Sequence, residues 1–156
     1  MIKKLLVAAA LLAAVGFGGW HAYLWSLGLY ATAPVYQTSR GALDGYDPVA
    51  YFTTGAPVAG KPEFAHEWSG AAWRFASAEN LAAFRAAPEK YAPQFGGYCA
   101  YAVANNYSAK SAPDAWHIED GKLYLNFNLE VRDTWRARKA EFIPAASKNW
   151  PAVIQD

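Results

Sequence analysis

A small α+β fold, built as one domain behind an apolar N-terminal segment, is what this chain predicts. Three observations carry that prediction. Two stretches read as β-hairpins, with apolar residues alternating on either side of Ser69-Gly70 and Asp120-Gly121. Short helical stretches follow each hairpin, and Ser77 and Asn128 stand where N-caps belong. The 156 residues are 54% hydrophobic and include 7 Trp and 10 Tyr, enough apolar surface for one core. The pattern shows no internal repeat and no low-complexity tract.

The N-terminus reads Met1-Ile2-Lys3-Lys4, then an almost uninterrupted apolar run from Leu5 to Ala33, broken by His21. A membrane-spanning helix needs roughly 20 such residues, whereas a cleaved leader has a shorter apolar core and a small-x-small site. Ala31-Thr32-Ala33 has the form of that site, but Pro34 would follow the cut and the core before it is too long. Trp20, Tyr23, Trp25 and Tyr30 suit an interfacial belt, and Lys3 and Lys4 favour a cytoplasmic N-terminus. Residues 1–33 are therefore expected to be a signal anchor, with a cleaved signal peptide as the alternative. The expected location is a bacterial inner membrane, single-pass with the domain in the periplasm, or a soluble periplasmic form after cleavage. Residues 34–44 read as a tether and 45–153 as the domain.

Within the domain, Asp44-Gly45-Tyr46-Asp47-Pro48 is turn chemistry and Val49 to Phe52 a short apolar segment. Gly55, Pro57, Gly60 and Pro62 punctuate a loop. The first hairpin runs from Phe64 to Phe75, with Phe64 opposite Phe75, His66 opposite Trp73 and Trp68 opposite Ala71. That register turns His66 toward the core with the aromatic residues. A helix is expected over residues 78–87, stopped by Pro88, and another from Tyr98 to Ala104 ending at Asn105 and Asn106. In the second hairpin Ile118 opposes Leu123 and Trp116 opposes Leu125, leaving His117 and Tyr124 on a wetter face. An amphipathic helix from Leu129 to Lys139 follows, and Trp150-Pro151 ends the packed region.

Charge excludes one broad class. The 14 basic residues less Lys3 and Lys4 leave 12 against 13 acidic, no footprint for nucleic acid. The basic run Arg132, Arg136, Arg138 and Lys139 reads as a solvated helical face with at most a weak pull toward anionic lipid.

Several segments resemble the YHS domain: Trp73-Arg74-Phe75-Ala76-Ser77, then Phe84, then Pro88-Glu89-Lys90-Tyr91, with Asp47-Pro48-Val49 like the family's opening. Tyr46 to Phe52, Tyr91 to Cys99, Gly121 to Asn126 and Asn149-Trp150-Pro151 are similar to its exported branch, the YHS domain-containing (seleno)proteins. The resemblance implies a metal or redox role. Metal-associated members place cysteines where this chain has Ala50, Ala76 and Asn80, so that ligand set does not carry over. Cys99, at a position specific to the exported branch, does.

Cys99 is the chain's one cysteine, so no disulfide forms within the chain. Gly96 and Gly97 precede it, and a thiol in the first turn of a helix has its pKa lowered by unpaired N–H groups. Imidazole and thiolate together suit soft transition metals. The candidate metal ligands are therefore Cys99, His66 and His117, with copper the most plausible ion and zinc next. Tyr98 or a partner would have to complete the set. A metal-donor or thiol partner protein is expected. The alternatives are an accessory interaction module in which Cys99 only packs, and a thiol-redox protein in which Cys99 attacks. No nucleotide loop, nucleophile elbow or zinc-protease helix is present.

Overall fold

The computed structural model describes residues 33–154, so the anchor expected in residues 1–33 lies, apart from Ala33, outside the described residues. No helix among the described residues is long and apolar enough to cross a membrane. They form three two-stranded antiparallel sheets and six α-helices, the small α+β fold the sequence predicts.

Residues 34–44, expected as a tether, pack against the domain. β1 (Gln37–Thr38) pairs with β2 (Gly41–Ala42), and Val35, Ala42 and Leu43 are buried in the main core. Tyr36 N–H donates to Gly96 O at 2.9 Å. A linker left in water would expose these apolar side chains, so the chain folds them in.

A 3-10 turn at Leu43–Gly45 leads to α1 (Ala50–Thr53). β3 (Lys61–Trp68) then pairs with β4 (Ala71–Phe75) through a turn in which Ser69 and Gly70 have φ of 52° and 75°. Positive φ at both central residues matches the twist of the strands. His66 faces Trp73 and Trp68 faces Ala71 as expected, but Phe75 faces Lys61 rather than Phe64. A bulge between Lys61 and Ala65 causes the slip, and Pro62, which has no N–H for the ladder, falls inside it. Ser77 Oγ accepts from Asn80 N at 3.2 Å and caps α2 (Ala78–Ala86), which is followed by α3 (Pro88–Tyr91).

A second 3-10 turn at Gln94–Gly97 leads to α4 (Ala100–Ala104). β5 (Ala112–Glu119) and β6 (Lys122–Asn126) pair in the expected register, Trp116 with Leu125 and Ile118 with Leu123. Asn128 Oδ1 accepts from Val131 N at 2.8 Å and caps α5 (Leu129–Ala137). The expected helix stops two residues early, and an unforeseen one, α6 (Lys139–Asn149), begins beyond Arg138. Pro144 inside α6 hides it from pattern reading, because proline argues against a helix interior.

Contrary to the sequence reading, the chain repeats one unit. Leu43, Asp44 and Gly45 have φ of 51°, 58° and 82°; Phe95, Gly96 and Gly97 have 54°, 59° and 82°. Tyr46 N then donates to Leu43 O, as Tyr98 N donates to Phe95 O. Asp47 N donates to Val58 O at 2.9 Å, and Cys99 N to Ala109 O at 3.0 Å. Each unit continues with a short helix, an eight-residue strand with proline second and a bulge, a positive-φ turn, a five-residue strand, a capped nine-residue helix and a further helix. Across most of this stretch the offset is 51 residues, pairing His66 with His117 and Gly70 with Gly121.

The two units share a septum. Leu123 and Leu125 on one face of β6 join the core of the first unit with Trp73, Phe75 and Phe84. Tyr124 on the other face joins the second core with Phe95, Tyr98, Trp135 and Phe142. The face expected to be wetter is therefore covered: Tyr124 lies 5.0 Å from Trp135, ring to ring. Sequence alternation shows which residues share a face, not what lies over it.

Candidate functional site

The repeat places two side chains at matching helix starts, Asp47 before α1 and Cys99 before α4. Asp47 is fully buried. Its Oδ1 accepts from Val49 N at 2.8 Å and Ala50 N at 3.3 Å, and its Oδ2 from Ala76 N at 2.8 Å and Asn80 Nδ2 at 2.6 Å. Four N–H groups converge on one carboxylate and satisfy it from within the chain. Three of them belong to Ala50, Ala76 and Asn80.

Cys99 repeats this arrangement with sulfur in place of the carboxylate. It is 1% exposed. Burial pushes its thiol up from the ordinary value, against the pull of the Ala102, Phe127 and Tyr101 N–H groups. The lowered pKa expected at a helix start is not found, because desolvation of the charged form outweighs those groups. Its side-chain neighbour is the fully buried Asn126: the thiol lies 3.9 Å from Asn126 Oδ1, which also accepts from Tyr101 N at 3.2 Å. Asn126 Nδ2 is buried with no hydrogen-bond partner.

One donor of the first unit has no counterpart in the second. Val131 stands where Asn80 reaches Asp47, and a pocket of about 210 Å³ opens there. Cys99, Tyr101, Tyr107, Ala109, Phe127 and Val131 line it. Tyr107, Phe127 and Leu129 are the large apolar side chains left exposed among the described residues, at 44%, 40% and 46%. Two of these three form the pocket's wall, and the third lies beside Asn128. Lys110 Nζ stands 5.7 Å from the Phe127 ring centre.

The glycine pair before Cys99 serves packing. A Cβ on Gly96 would come 2.1 Å from Pro34 O, and one on Gly97 would come 2.3 Å from Leu43 Cδ2. The backbone approach that the pair permits is to the N-terminal segment. Tyr98 is occupied as well: its hydroxyl donates to Ala33 O at 2.9 Å, and burial pushes its pKa up to about 12.

Neither histidine lines the pocket. His66 and His117 hold the same place in the two units, each edge-on to the buried ring of the following helix. His66 lies 6.5 Å from Phe84 and His117 5.9 Å from Trp135. His117 Nε2 is 2.9 Å from Glu119 Oε2, to which Lys139 Nζ also donates at 2.8 Å. Lys139 and then His117 hold the Glu119 carboxyl below its usual range. The basic run is paired too, Arg132 and Arg136 with Asp133, and Arg138 with Glu141.

The sulfur's polar neighbour is an amide oxygen, His66 packs edge-on to Phe84, His117 is bonded to Glu119, and the Asp47 site presents N–H groups. Among the described residues, no group of three or more His, Cys, Asp or Glu side chains is placed to hold a metal ion. What the geometry offers is an apolar, ring-sized pocket with a neutral thiol at its inner end. Neither the sequence nor the fold matches a family model, a curated protein or a solved structure.

Proposed function

We propose that the chain is a YHS-like binding module that takes a small, apolar, ring-sized molecule into the pocket beside Cys99. The observation that carries this reading is the gathering of exposed Tyr107 and Phe127 around a cavity whose inner end is the chain's one thiol. Apolar side chains kept in water at a concavity mark a binding surface. A cavity of about 150 Å³ already accepts benzene, so 210 Å³ accepts a substituted ring. The YHS assignment is supported by the meeting of Ala50, Ala76 and Asn80 around Asp47, since ligand positions in a metal-associated relative must converge. Placement at the outer face of a bacterial inner membrane rests on the apolar leader with its two lysines.

Indole is a suitable probe, followed by NMR shifts in the full chain. Saturable shifts at Cys99, Tyr107, Phe127 and Val131 are expected, and Val131→Trp fills the pocket and abolishes them while the fold persists. Shifts spread over the surface, or none, remove the reading. Copper and zinc content is measured on the same samples, and wild type and Cys99→Ser are expected to carry equal metal. A loss confined to Cys99→Ser would instead support metal capture by the thiol.

A further inference from the structure

Beside the exchange of Asn80 for Val131, the second unit departs from the first in its acceptor: a thiol stands where a carboxylate accepts four N–H bonds. Aspartate and cysteine both carry their acidic group on a single methylene. Oxidising a cysteine to its sulfinate gives a CH2–SO2⁻ group, two oxygens and one negative charge, close in shape and charge to CH2–COO⁻. Three of the four donors already stand around the sulfur. Tyr101, Ala102 and Phe127 contribute N–H groups there, as Val49, Ala50 and Ala76 do at Asp47. An independent observation points the same way: Asn126, fully buried and in contact with the sulfur, has an Nδ2 without an acceptor. With a thiol in place, Tyr101 N also donates to Asn126 Oδ1 at 3.2 Å.

We propose that Cys99 is a modification site, oxidised by a small hydroperoxide entering the pocket to a sulfinate that this N–H cradle holds as its counterpart holds Asp47. The inference rests on the reading that the pocket leads small molecules to Cys99. In the first step the sulfur attacks one peroxide oxygen. An S–O bond forms, the O–O bond breaks, and the leaving oxygen takes the thiol proton, giving sulfenic acid and water (or an alcohol from an alkyl hydroperoxide). A second equivalent repeats the step and gives the sulfinic acid, which releases its proton. Each step oxidises sulfur by two electrons and reduces one peroxide. Tyr101 N–H then turns to a sulfinate oxygen, and the Asn126 amide rotates to give that anion its unused Nδ2–H. Because burial disfavours the thiolate, the reaction is slow at neutral pH and quickens as pH rises.

Hydrogen peroxide on the full chain is the test, read by peptide mass and thermal midpoint, with Cys99→Asp beside it. Expected are a gain of two oxygens at Cys99 that stops there, a midpoint shifted upward, and a Cys99→Asp midpoint at or above wild type. Adding Val131→Asn to Cys99→Asp rebuilds the first unit's donor set and raises the midpoint further. No oxygen gained, a third oxygen added as readily as the second, or a midpoint that falls on oxidation overturns the proposal. Should Cys99→Asp fail to fold, the proposal is overturned as well, since the cradle then rejects the very group it is argued to hold. Indole shifts without oxidation leave the binding reading standing and remove this one; oxidation without indole shifts does the reverse.

Discussion

Cys99 and Asp47 show how one backbone frame sets opposite chemistry on two side chains. Asp47 goes into the interior with four N–H groups bonded to its carboxyl oxygens. Cys99 has N–H groups nearby but stays neutral, since burial dominates its pKa. A pH dependence follows. The unfolded thiol titrates near 8.5, about where the folded thiol still holds its proton. Between the two values the folded chain binds more protons, so stability falls as pH rises and is unaffected by this group below about 8.5. The buried tyrosines act later: Tyr98 is raised to about 12 from an ordinary value of 10.0, and Tyr51 is raised as well. Urea unfolding between about pH 8.5 and 10 should therefore show a declining limb in wild type and a nearly flat one in Cys99→Ala. Parallel limbs would mean that the thiol titrates as it does in water.

Elements were legible where a local signal sufficed. Both positive-φ turns follow from Ser69-Gly70 and Asp120-Gly121, and both nine-residue helices from the Ser77 and Asn128 caps. Bulges at Pro62 and Pro113, α6 around Pro144, and the repeat itself were not. The two units share few identities; Pro-x-x-x-His-x-x-x-Gly at residues 62–70 and 113–121 and Arg-Ala at 85–86 and 136–137 are the compact traces of their kinship. The candidate site suffered most, because Asn126, Phe127 and Val131 reach Cys99 only through tertiary packing. Asp47 reads from sequence as a turn residue, yet it ties the start of α1 to the link between β4 and α2. Asp47→Ala strands four buried or partly buried donors and is expected to cost about 3 kcal/mol or more. Asp47→Asn should cost nearly as much, for its NH2 would face an N–H donor on one side. Chemical denaturation of the two variants checks this, and an Asn variant close to wild type would show that the charge is not what the frame requires.

At the scale of the whole molecule, the two units are held by β6 between them and by the N-terminal segment across them. Val35, Ala42 and Leu43 enter the first core, while Tyr36 stacks at 5.7 Å on Tyr98 of the second. Gly96 receives Tyr36 N–H, and Tyr98 holds Ala33 O. Residues 34–44 thus join the halves. Full burial of one valine or leucine side chain contributes about 1.5–3 kcal/mol, against a total stability of about 5–15 kcal/mol for a domain. Losing Val35 and Leu43 together removes a large part of that margin. A chain beginning at Ala33 should melt in one sharp transition with near-ultraviolet circular dichroism from its packed tryptophans. One beginning at Gly45 should show a broad, early transition and a weakened near-ultraviolet signal, because both cores lose their shared brace. Equal melting of the two would return the segment to the role of a passive linker, and would require each core to stand on its own contacts.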